Sequence, residues 1–245
     1  MAKKTKKLMK KGKRLDGRKP DEMRPMKIIA GYVKRADGSA YMEWGGNKVI
    51  ASVHGPRTCY PRHERSPYKA RIQFKYKLAP FSVDDRANPA PSRRDKEISK
   101  VSSEALEKAV FTEYYPNTTI DVYATVIEAA AGTRVAALSA ASVALADAGI
   151  PMKDSIPACA AGKIEDKVVL DLNKDEDQEG QADLPIAYMP HSDEITLMQM
   201  DGDLTPEEYE EAVDLAVDGC MKVYEEQKRA LKEKYEHIEQ AKEEE

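Results

Sequence analysis

The sequence has no long apolar run. No stretch approaches the roughly 18 apolar residues that a membrane-spanning helix requires. The basic N-terminus is not followed by the apolar segment of a secretory signal peptide. We therefore expect a cytoplasmic protein that has no membrane partner, rather than a secreted or membrane protein.

Cysteine is scarce, and its arrangement argues against two kinds of stabilised domain. The chain has three cysteines, Cys59, Cys159 and Cys220, which lie far apart and include no CxxC pair. An odd number of widely spaced cysteines without a histidine cluster does not fit a disulfide framework or a structural zinc site. We expect the three thiols to be reduced and buried.

Two common nucleotide-binding signatures are missing as well. Neither the Walker-type pattern GxxxxGK[ST] nor the Rossmann pattern GxGxxG occurs in the sequence. This absence argues against a P-loop nucleoside triphosphatase and against a dinucleotide-dependent enzyme.

Charged residues, in contrast, are abundant and unevenly placed. They make up 33% of the chain against 41% hydrophobic residues, a balance typical of a globular protein with one large domain or two small ones. The net charge is −4, yet the segment KKTKKLMKKGKR near the start is basic and the final segment EHIEQAKEEE is acidic. We predict that residues 1–13 form a disordered basic tail. Such a tail either keeps the chain in solution or contacts RNA phosphates or an acidic partner surface.

Hydrophobic residues alternate with polar ones over many short segments, which predicts β-strands. Residues 26–54 contain three such segments, separated by turn signals at residues 36–38 and 45–47. Further candidate strands follow along the chain: KARIQFKYKLA, NTTIDVYATVIEAA, SIPACAAGKIE, DKVVLDLN, LPIAYMP and EITLMQMDG.

Three segments have the helical period instead. The first, SRRDKEISKVSSEALEKAVF, begins at the N-cap candidate Ser92, and the second, TRVAALSAASVALADAGIP, ends at Gly149. The third begins at Thr205, which Glu208 complements in a capping box. Groups of strands followed by a helix occur in both halves of the chain. This order predicts an α+β (mixed α/β) fold with largely antiparallel strands.

We assign residues 14–228 to one domain. Its last helix has a core-facing stripe that includes Tyr209 and Val223. Glutamate and lysine dominate the helical segment that follows, so we expect residues 229–245 to form a solvated, charged C-terminal extension.

The segment AAGTRVAAL places Gly132, Thr133 and Arg134 between a predicted strand and a predicted helix. The N–H groups at a helix N-terminus attract anions, and glycine lets the backbone approach a ligand closely. Threonine can donate its hydroxyl, and arginine can bind two phosphate oxygens at once. The three residues therefore form a candidate phosphate site. Ordinary helix capping by Thr133, with a surface ion pair at Arg134, is the alternative.

Two further groups of arginines suggest contact with nucleic acid. Arg93 and Arg94 are adjacent at the start of the first predicted helix, whereas Arg62 and Arg65 lie in the tyrosine-containing loop GPRTCYPRHERSPYKAR. Arginines bind phosphates, and tyrosines stack on the bases of single-stranded nucleic acid. For Arg93 and Arg94 alone, a pair of solvated surface residues is the simpler interpretation.

The segment LDLNKDEDQEGQADLP is unusually acidic. Such a segment is most often a hydrated loop, and we expect most of its carboxylates to be solvated. Asp177 and Asp183, however, lie on either side of Gly180, which permits a tight chain reversal. Two carboxylates beside a phosphate site could hold Mg²⁺. Alternatively, one of them could stay protonated beside the charge of the other and act as a general acid.

Four segments resemble, in order and spacing, the signature segments of RNase PH-type phosphorolytic exoribonucleases. They are RLDGRKPDEMRPMKI, GSAYMEWGGNKVIASVHGPR, AGTRVAALSAASVALADAGIPM and DEDQEGQADLPIAYMP. The resemblance extends from about Arg14 to about Tyr224. It is strongest to the catalytic RNase PH-like subunit of the archaeal exosome.

This resemblance implies an RNase PH-like fold, in which two similar β–α halves pack together. It also implies a hexameric ring in which catalytic subunits alternate with inactive RNase PH-like paralogues, as a trimer of heterodimers that carries RNA-binding cap subunits. In that family, inorganic phosphate is the co-substrate that attacks the 3′ end of single-stranded RNA and releases nucleoside diphosphates, working in the 3′-to-5′ direction. With excess nucleoside diphosphate, the reverse reaction adds a 3′ tail.

The resemblance also assigns roles at the phosphate and RNA sites. Gly132, Thr133 and Arg134 match the family's phosphate-binding segment, and Arg94 is expected nearby. Arg93 and Arg94 match the arginine pair that binds the RNA backbone. A looser match places the loop that constricts the RNA channel at two further arginines, Arg62 and Arg65.

The two family carboxylates match Asp177 and Asp183. The resemblance implies that Asp183 protonates the departing 3′ oxygen or binds a metal beside it, and that Asp177 positions Mg²⁺. Both aspartates are therefore candidate catalytic residues and candidate Mg²⁺ ligands.

One position departs from the family pattern. The family usually has Asp-Gly before Gly-Thr-Arg, whereas this chain has Ala130 and Ala131. The change removes a negative charge and replaces a glycine by a residue whose backbone is more restricted. Because the anion-binding residues remain, we expect activity to be retained and the geometry of this loop to be the property affected.

Several functions remain to be compared. A homohexameric RNase PH that trims transfer RNA would use the same chemistry as an exosome subunit, but it would form a different assembly. An inactive ring subunit that only threads RNA is a different class, and the joint presence of Thr133, Arg134, Asp177 and Asp183 argues against it. A general nucleic-acid-binding protein would bind RNA without phosphate-dependent turnover.

Overall fold

The structure is a computed structural model that describes residues 8–10 and 13–243, and it consists of two main β-sheets with long helices packed between them. The strands, in chain order, are β1 (Met9–Lys10), β2 (Lys13–Arg14), β3 (Met26–Ala30), β4 (Gly38–Trp44), β5 (Asn47–Thr58), β6 (Arg71–Leu78), β7 (Thr118–Glu128), β8 (Ala158–Ile164), β9 (Lys167–Leu170), β10 (Ala182–Met189), β11 (Glu194–Met198) and β12 (Asp201–Gly202). The α-helices are α1 (Arg93–Ala109), α2 (Thr133–Asp147), α3 (Lys174–Glu179) and α4 (Pro206–Glu243).

The first half of the chain forms a five-stranded sheet in the order β3–β4–β5–β7–β6. Buried and more exposed residues alternate along β5 and β7, so one face of this sheet is the buried one. Helix α1 packs on β6, and α2 packs on β4, β5 and β7. The only parallel pair among the described strands is β6 with β7.

The second half forms another five-stranded sheet, in the order β11–β10–β8–β9, and β12 pairs with the start of β10. Helix α4 packs on β8, β9 and β10 and also contacts β3 of the first sheet. Each half therefore combines a mostly antiparallel sheet with the helix that follows it. This confirms the predicted mixed α/β fold with two similar halves.

Helix α2 lies at the centre of the core. Every residue from Val135 to Leu145 is buried, and the helix contacts strands of both sheets. Its small side chains permit this close approach. The hydroxyl oxygens of Ser139 and Ser142 accept the N–H groups of Ala158 and Ile156, so the buried serines also attach the helix to the start of β8.

The start and stop signals read from the sequence are present in the structure. Ser92 and Asp95 exchange side-chain to backbone bonds of 3.1 and 2.8 Å at the start of α1. Thr205 and Glu208 do the same, at 2.9 and 3.3 Å, at the start of α4. Gly149 follows α2 with a φ of +70°. These capping predictions are confirmed.

Part of the predicted basic tail is ordered. Strands β1 and β2 pair with each other, and Leu8 and Met9 are buried against apolar side chains of the second half of the chain. The carboxylate of Glu165 accepts the backbone N–H groups of both residues, at 2.6 and 3.1 Å. Two apolar residues inside a basic segment thus complete a small core of their own.

The structure therefore differs from the predicted disorder at residues 8–10 and at Lys13, the first residue of β2. The remainder of the predicted tail before β2, residues 1–7 and 11–12, lies outside the described residues. So do residues 244–245 at the other end of the chain.

The predicted solvated extension at the C-terminus also packs on the domain for part of its length. Helix α4 continues the apolar stripe of Val223 with Ala230, which is buried, and Leu231, which packs against the main core. Lys234 then forms an ion pair with the buried carboxylate of Asp147 at the end of α2. The extension is thus part of the domain at least as far as Lys234. Within the described residues, no helix has the length and apolar character that crossing a bilayer requires.

We expect Lys234→Met to lower the free energy of unfolding by about 1–3 kcal/mol, because the buried carboxylate of Asp147 would lose its cation. Urea denaturation at pH 7 measures this change. The matched control is Lys232→Met in the same helix, where the side chain is exposed and the change should stay within about 0.5 kcal/mol. Equal losses in the two variants would contradict the importance of the buried pair.

Candidate active site

The loop before α2 leaves the N-terminus of that helix without a side-chain cap. Gly132 is the N-cap, with a φ of +67°, and it follows Ala131, which has a φ of +66°. Among the described residues, no side chain accepts a hydrogen bond from the first turn. Free N–H groups at the positive end of a helix dipole bind anions. The alternative of capping by Thr133 is wrong, because Thr133 is already the first helical residue.

Two side chains hold this loop in place. Arg24 donates from Nη1 to the carbonyl oxygen of Ala130 at 2.7 Å and from Nη2 to that of Ala131 at 3.4 Å. The side chain of Asn47 accepts the N–H of Ala130 at 2.6 Å and donates to the carbonyl oxygen of Ala131. These bonds fix Ala131 in a left-handed conformation that costs a non-glycine residue about 1–2 kcal/mol. The alanine thus adopts the conformation for which a glycine is usually selected.

Thr133 is buried and its hydroxyl has one partner among the described residues. The phenol of Tyr76 donates to Oγ1 of Thr133 at 2.7 Å. Since a hydroxyl is both a donor and an acceptor, the threonine keeps its own proton for a bound anion.

Arg134 points into the same region and is only partly paired. Its Nη1 donates to Oε1 of Gln199, and its Nη2 lies 3.8 Å from Oε1 of Glu97. Its Nε has no hydrogen-bond partner within the described part of the chain. Burial lowers the pKa of Arg134 from its usual value, and the carboxylate of Glu97 acts in the opposite direction. The guanidinium therefore retains hydrogen-bonding capacity for an anionic ligand.

The acidic segment is a short helix rather than the expected loop. Asn173 caps α3 in a reciprocal pair with Glu176, with bonds of 2.8 and 3.1 Å. Glu176 is buried, and the guanidinium of Arg14 binds its carboxylate, with 2.8 Å between Nε and Oε1. The expectation that carboxylates of this segment are solvated is therefore wrong for Glu176. This anchoring leaves Asp177 on the exposed side of the helix.

Gly180 follows α3. A glycine is required here because a side chain would not fit, and not because the chain reverses. Its φ is −69°, a value open to any residue. A Cβ atom at this position would lie 2.3 Å from the carbonyl oxygen of Glu176. The predicted role of this glycine in a tight reversal is therefore wrong, and close backbone packing replaces it.

The buried carboxylate of Asp171 connects the loop before α2 with α3. It accepts the backbone N–H of Arg24 at 2.8 Å, the side-chain Nε and Nη2 of Arg24 at 2.9 and 2.6 Å, and the indole N–H of Trp44 at 3.1 Å. The backbone carbonyl oxygen of Asp171 accepts from Arg14 at 2.7 Å, the same arginine that binds Glu176. One buried network thus positions both parts of the site.

Sequence reasoning missed these supporting residues. The arginines lie in the segment RLDGRKPDEMRP, which stood out only as a family signature, and Arg24 is separated from Asp171 by 147 residues. A buried arginine and a surface arginine look alike in a single sequence. The unusual density of arginine in an otherwise short segment was the only available signal.

Asp183 lies on β10, between β8 and β12, and is mostly buried. Burial raises the pKa of its carboxyl to about 6, and the negative charge of Asp177 contributes in the same direction. Arg134 and Arg94 act against this rise. Asp183 can therefore hold a proton at a pH where an ordinary aspartate has lost it.

A cavity of about 770 Å³ brings most of the predicted site residues together. Arg93, Arg94, Arg134, Asp177 and Asp183 all line it. Thr133 lines a smaller neighbouring cavity, which shares two of these side chains with the first. The site is therefore cationic on the α1 and α2 side and anionic on the α3 and β10 side.

Arg62 and Arg65 do not join this cavity. They lie in the loop after β5, in and next to a 3-10 turn, and Arg65 donates to the carbonyl oxygen of Cys59 at 2.7 Å. Strand β5 begins at Asn47, beside the loop before α2, and ends at Thr58, so its length of roughly 35 Å separates these arginines from the site. Their assignment as RNA-binding residues stays a prediction.

The acidic side of the cavity fits a magnesium ion. Mg²⁺ in proteins commonly takes one or two carboxylates and completes its shell with water and substrate phosphates. Asp177 and Asp183 supply such a pair, since the charge of Asp177 acts on the pKa of Asp183 in the same cavity. No group of three or more potential metal-binding side chains exists among the described residues, so a site held by protein ligands alone is not formed there.

The chain matches two family models along most of its length. Residues 22–151 match the RNase PH model of the 3′ exoribonuclease family, domain 1. Residues 154–219 match domain 2 of the same family. The chain belongs to the RNase PH family of 3′ exoribonucleases. The two domain models correspond to the two β–α halves of this RNase PH chain.

Curated relatives in the RNase PH family are highly similar. The Exosome complex component Rrp41 of Methanopyrus kandleri is 63% identical over 224 residues, which cover 91% of this chain and 94% of that protein. The Exosome complex component Rrp41 of Pyrococcus furiosus is 57% identical, covering 91% and 90%.

Solved structures show the same RNase PH fold. Rice Rrp46 matches with a TM-score of 0.78 and 26% identity, over 88% of this chain and 98% of the other. An Archaeoglobus fulgidus exosome with RNA bound to the active site matches with a TM-score of 0.77 and 22% identity, over 87% and 92%. The predicted RNase PH-like fold is confirmed.

The raised pKa of Asp183 predicts a pH-dependent cost to stability. The folded-state pKa of about 6 exceeds the ordinary value of 3.8, so the folded chain binds this proton more tightly than the unfolded chain does. Stability contributed by this group is therefore present at low pH and lost as the pH rises through 6. The advantage of Asp183→Asn over the wild type should grow by about 2 kcal/mol between pH 4 and pH 7 in urea denaturation. Glu179→Gln, on exposed α3, should show no such growth.

Ala131→Gly should raise the free energy of unfolding by about 0.5 kcal/mol. Relief of the left-handed strain, about 1–2 kcal/mol, outweighs the added entropy of glycine in the unfolded chain, about 0.4–1 kcal/mol. The matched control is Ala130→Gly, where φ is not positive and only the entropic loss applies. Chemical denaturation of both variants gives the comparison, and a loss of stability at both positions would refute the strain at Ala131.

Proposed function

We propose that the chain is a phosphorolytic 3′-to-5′ exoribonuclease. Inorganic phosphate would attack the phosphorus of the last 3′ phosphodiester of single-stranded RNA and release a nucleoside diphosphate. The observation that carries this proposal is the composition of the cavity. It contains both a positively charged group that can bind phosphate, Arg134, and a carboxyl whose raised pKa lets it keep a proton, Asp183. With excess nucleoside diphosphate, the same site would add nucleotides to a 3′ end.

The attacking phosphate would bind at the start of α2. The free N–H groups after Gly132, the hydroxyl of Thr133 and the guanidinium of Arg134 offer donors to one anion. Arg94, on α1, lines the same cationic side of the cavity and adds a second positive charge. This cluster offsets the repulsion between an anionic nucleophile and an anionic RNA backbone.

The RNA backbone would be held by the exposed arginines at the start of α1. Arg93 and Arg94 line the cavity and form no ion pair within the described residues. Because they begin a rigid, capped helix, their side chains start from a fixed position relative to Arg134. This arrangement would align the terminal phosphodiester with the attacking phosphate.

Asp183 would act as the general acid. As the new bond forms between a phosphate oxygen and the terminal phosphorus, the bond from that phosphorus to the 3′ oxygen of the shortened RNA breaks. That oxygen leaves with the bonding electron pair and takes the proton of Asp183. A pKa near 6 suits this step, because a fraction of the enzyme is protonated at neutral pH and the acid is stronger than water.

Magnesium, when bound, would neutralise charge on the phosphate oxygens during this transfer. Asp177 is the residue that would hold it, and Asp183 would join as a second ligand only if it served as a metal ligand instead of as the acid. Asp177 is placed for this by α3, whose position depends on the buried pair of Glu176 and Arg14.

The similarity to exosome components supports a role in an exosome ring. Relatives more than 50% identical over 91% of this chain bear the name Exosome complex component Rrp41. We infer a catalytic subunit that alternates with an inactive RNase PH-like paralogue, in a ring that carries RNA-binding cap subunits. In such a ring, Arg62 and Arg65 would contact RNA far from the cavity, at the constriction of the channel. Three buried, unpaired cysteines support a reducing compartment, the cytoplasm.

The test is RNA degradation by the chain co-expressed with its inactive relative, in the presence of Mg²⁺, with and without inorganic phosphate. We expect nucleoside diphosphates only when phosphate is added. Nucleoside monophosphates formed without phosphate would mean hydrolysis and would overturn the proposal. Retention of RNA without any product would identify a subunit that threads RNA.

Asp183→Asn separates the acid from the binding groups within this test. RNA binding should remain nearly unchanged, since the arginines are intact, whereas product formation should fall by at least about 100-fold. A parallel loss of binding would show that the side chain has a structural role instead.

A further inference from the structure

A carboxylate lies beside the proposed phosphate site, where the proposed chemistry calls for positive charge. Glu97 lies on α1, one turn after Arg93 and Arg94, and lines the same cavity. Its Oε1 lies 3.8 Å from Nη2 of Arg134. The mechanism proposed above uses the positive charges of the cavity and assigns nothing to Glu97.

Gln199 holds this carboxylate against the arginine. Its Nε2 donates to Oε1 of Glu97 at 2.8 Å, and its Oε1 accepts from Nη1 of Arg134. The backbone N–H of Gln199 donates to the carbonyl oxygen of Pro185 at 3.2 Å, which fixes the residue beside β10. We call Arg134, Gln199 and Glu97 the arginine bridge.

The arginine bridge has a direct effect on charge. After the opposing influence of burial, the carboxylate of Glu97 is the strongest influence on the pKa of Arg134, and it favours the cation. A phosphate that binds Arg134 therefore meets a guanidinium whose charge Glu97 already partly neutralises. The phosphate is also repelled by the negative charge of Glu97, which lines the same cavity. Both effects weaken anion binding.

We propose that Glu97, held by Gln199, sets the anion affinity of Arg134 by competing with phosphate for the guanidinium. This inference rests on the proposed function. The nucleoside diphosphate that leaves the site carries the former attacking phosphate at its end, so the same competition also favours release of that product. Glu97 is thus a positioning and affinity-setting residue that takes no part in bond breaking.

The decisive variant is Glu97→Gln, which removes the charge and keeps an acceptor for Gln199. Binding of inorganic phosphate to the full-length chain is measured by isothermal titration calorimetry, with the chain in the assembly in which it purifies. We expect the dissociation constant of phosphate to fall roughly five-fold at low ionic strength. In about 1 M NaCl, where charges are screened within about 3 Å, the two proteins should converge. A packing role for Glu97 would produce no such dependence on salt.

Glu104→Gln is the matched control. Glu104 lies on the same helix two turns further along, is exposed, and within the described part of the chain pairs only with Lys100, at 4.0 Å. Its removal changes the net charge equally but leaves the cavity untouched, so phosphate affinity should stay as in the wild type.

The outcomes separate this inference from the proposed function. Unchanged or weaker phosphate binding in Glu97→Gln, with normal binding in the wild type, would overturn the inference and leave phosphorolysis standing. Equal gains in Glu97→Gln and Glu104→Gln would also overturn it, because net charge alone would then explain the effect. A wild-type chain that binds no phosphate would overturn both.

Discussion

The buried carboxylate of Asp171 is the interaction on which the active site depends. It lies in the second half of the chain and is bound by Arg24 from the first. The other end of the same guanidinium holds the carbonyl oxygens of the loop before α2. A buried carboxylate that loses its cation strongly destabilises the fold. Arg24 therefore cannot move away from Asp171 without a large loss of stability. The loop geometry is therefore set by the docking of the two halves.

The same logic extends to the acidic wall of the cavity. Helix α3 has only six residues and would not persist alone in water. Its position comes from the buried pair of Glu176 and Arg14, and Arg14 is in turn bound to the backbone beside Asp171. Asp177 thus lines the cavity on a helix that is anchored by a buried ion pair. Of these two adjacent carboxylates, the buried Glu176 anchors the helix and the exposed Asp177 lines the cavity.

The sequence was most informative where chemistry is local. Capping at Ser92 and Thr205 depends on residues three positions apart, and the strand and helix periods depend on neighbouring residues, so both could be predicted. The burial of Glu176 could not, because its partner is 162 residues away and it resembles the exposed carboxylates beside it. Gly180 was recognised as special but for the wrong reason, since a single sequence does not show how closely another backbone passes.

The division of the site between the two halves has a consequence during synthesis. Gly132 and Arg134 belong to the first half, whereas Asp183 enters from the interior of the second sheet. A ribosome-bound chain that has made only its first half lacks Asp171, which fixes the loop before α2 through Arg24, and it also lacks the carboxyl that we propose as the acid. Arg14, although among the first residues made, gains its buried partner only once α3 has emerged. The complete site therefore forms only after the second half of the chain has been made.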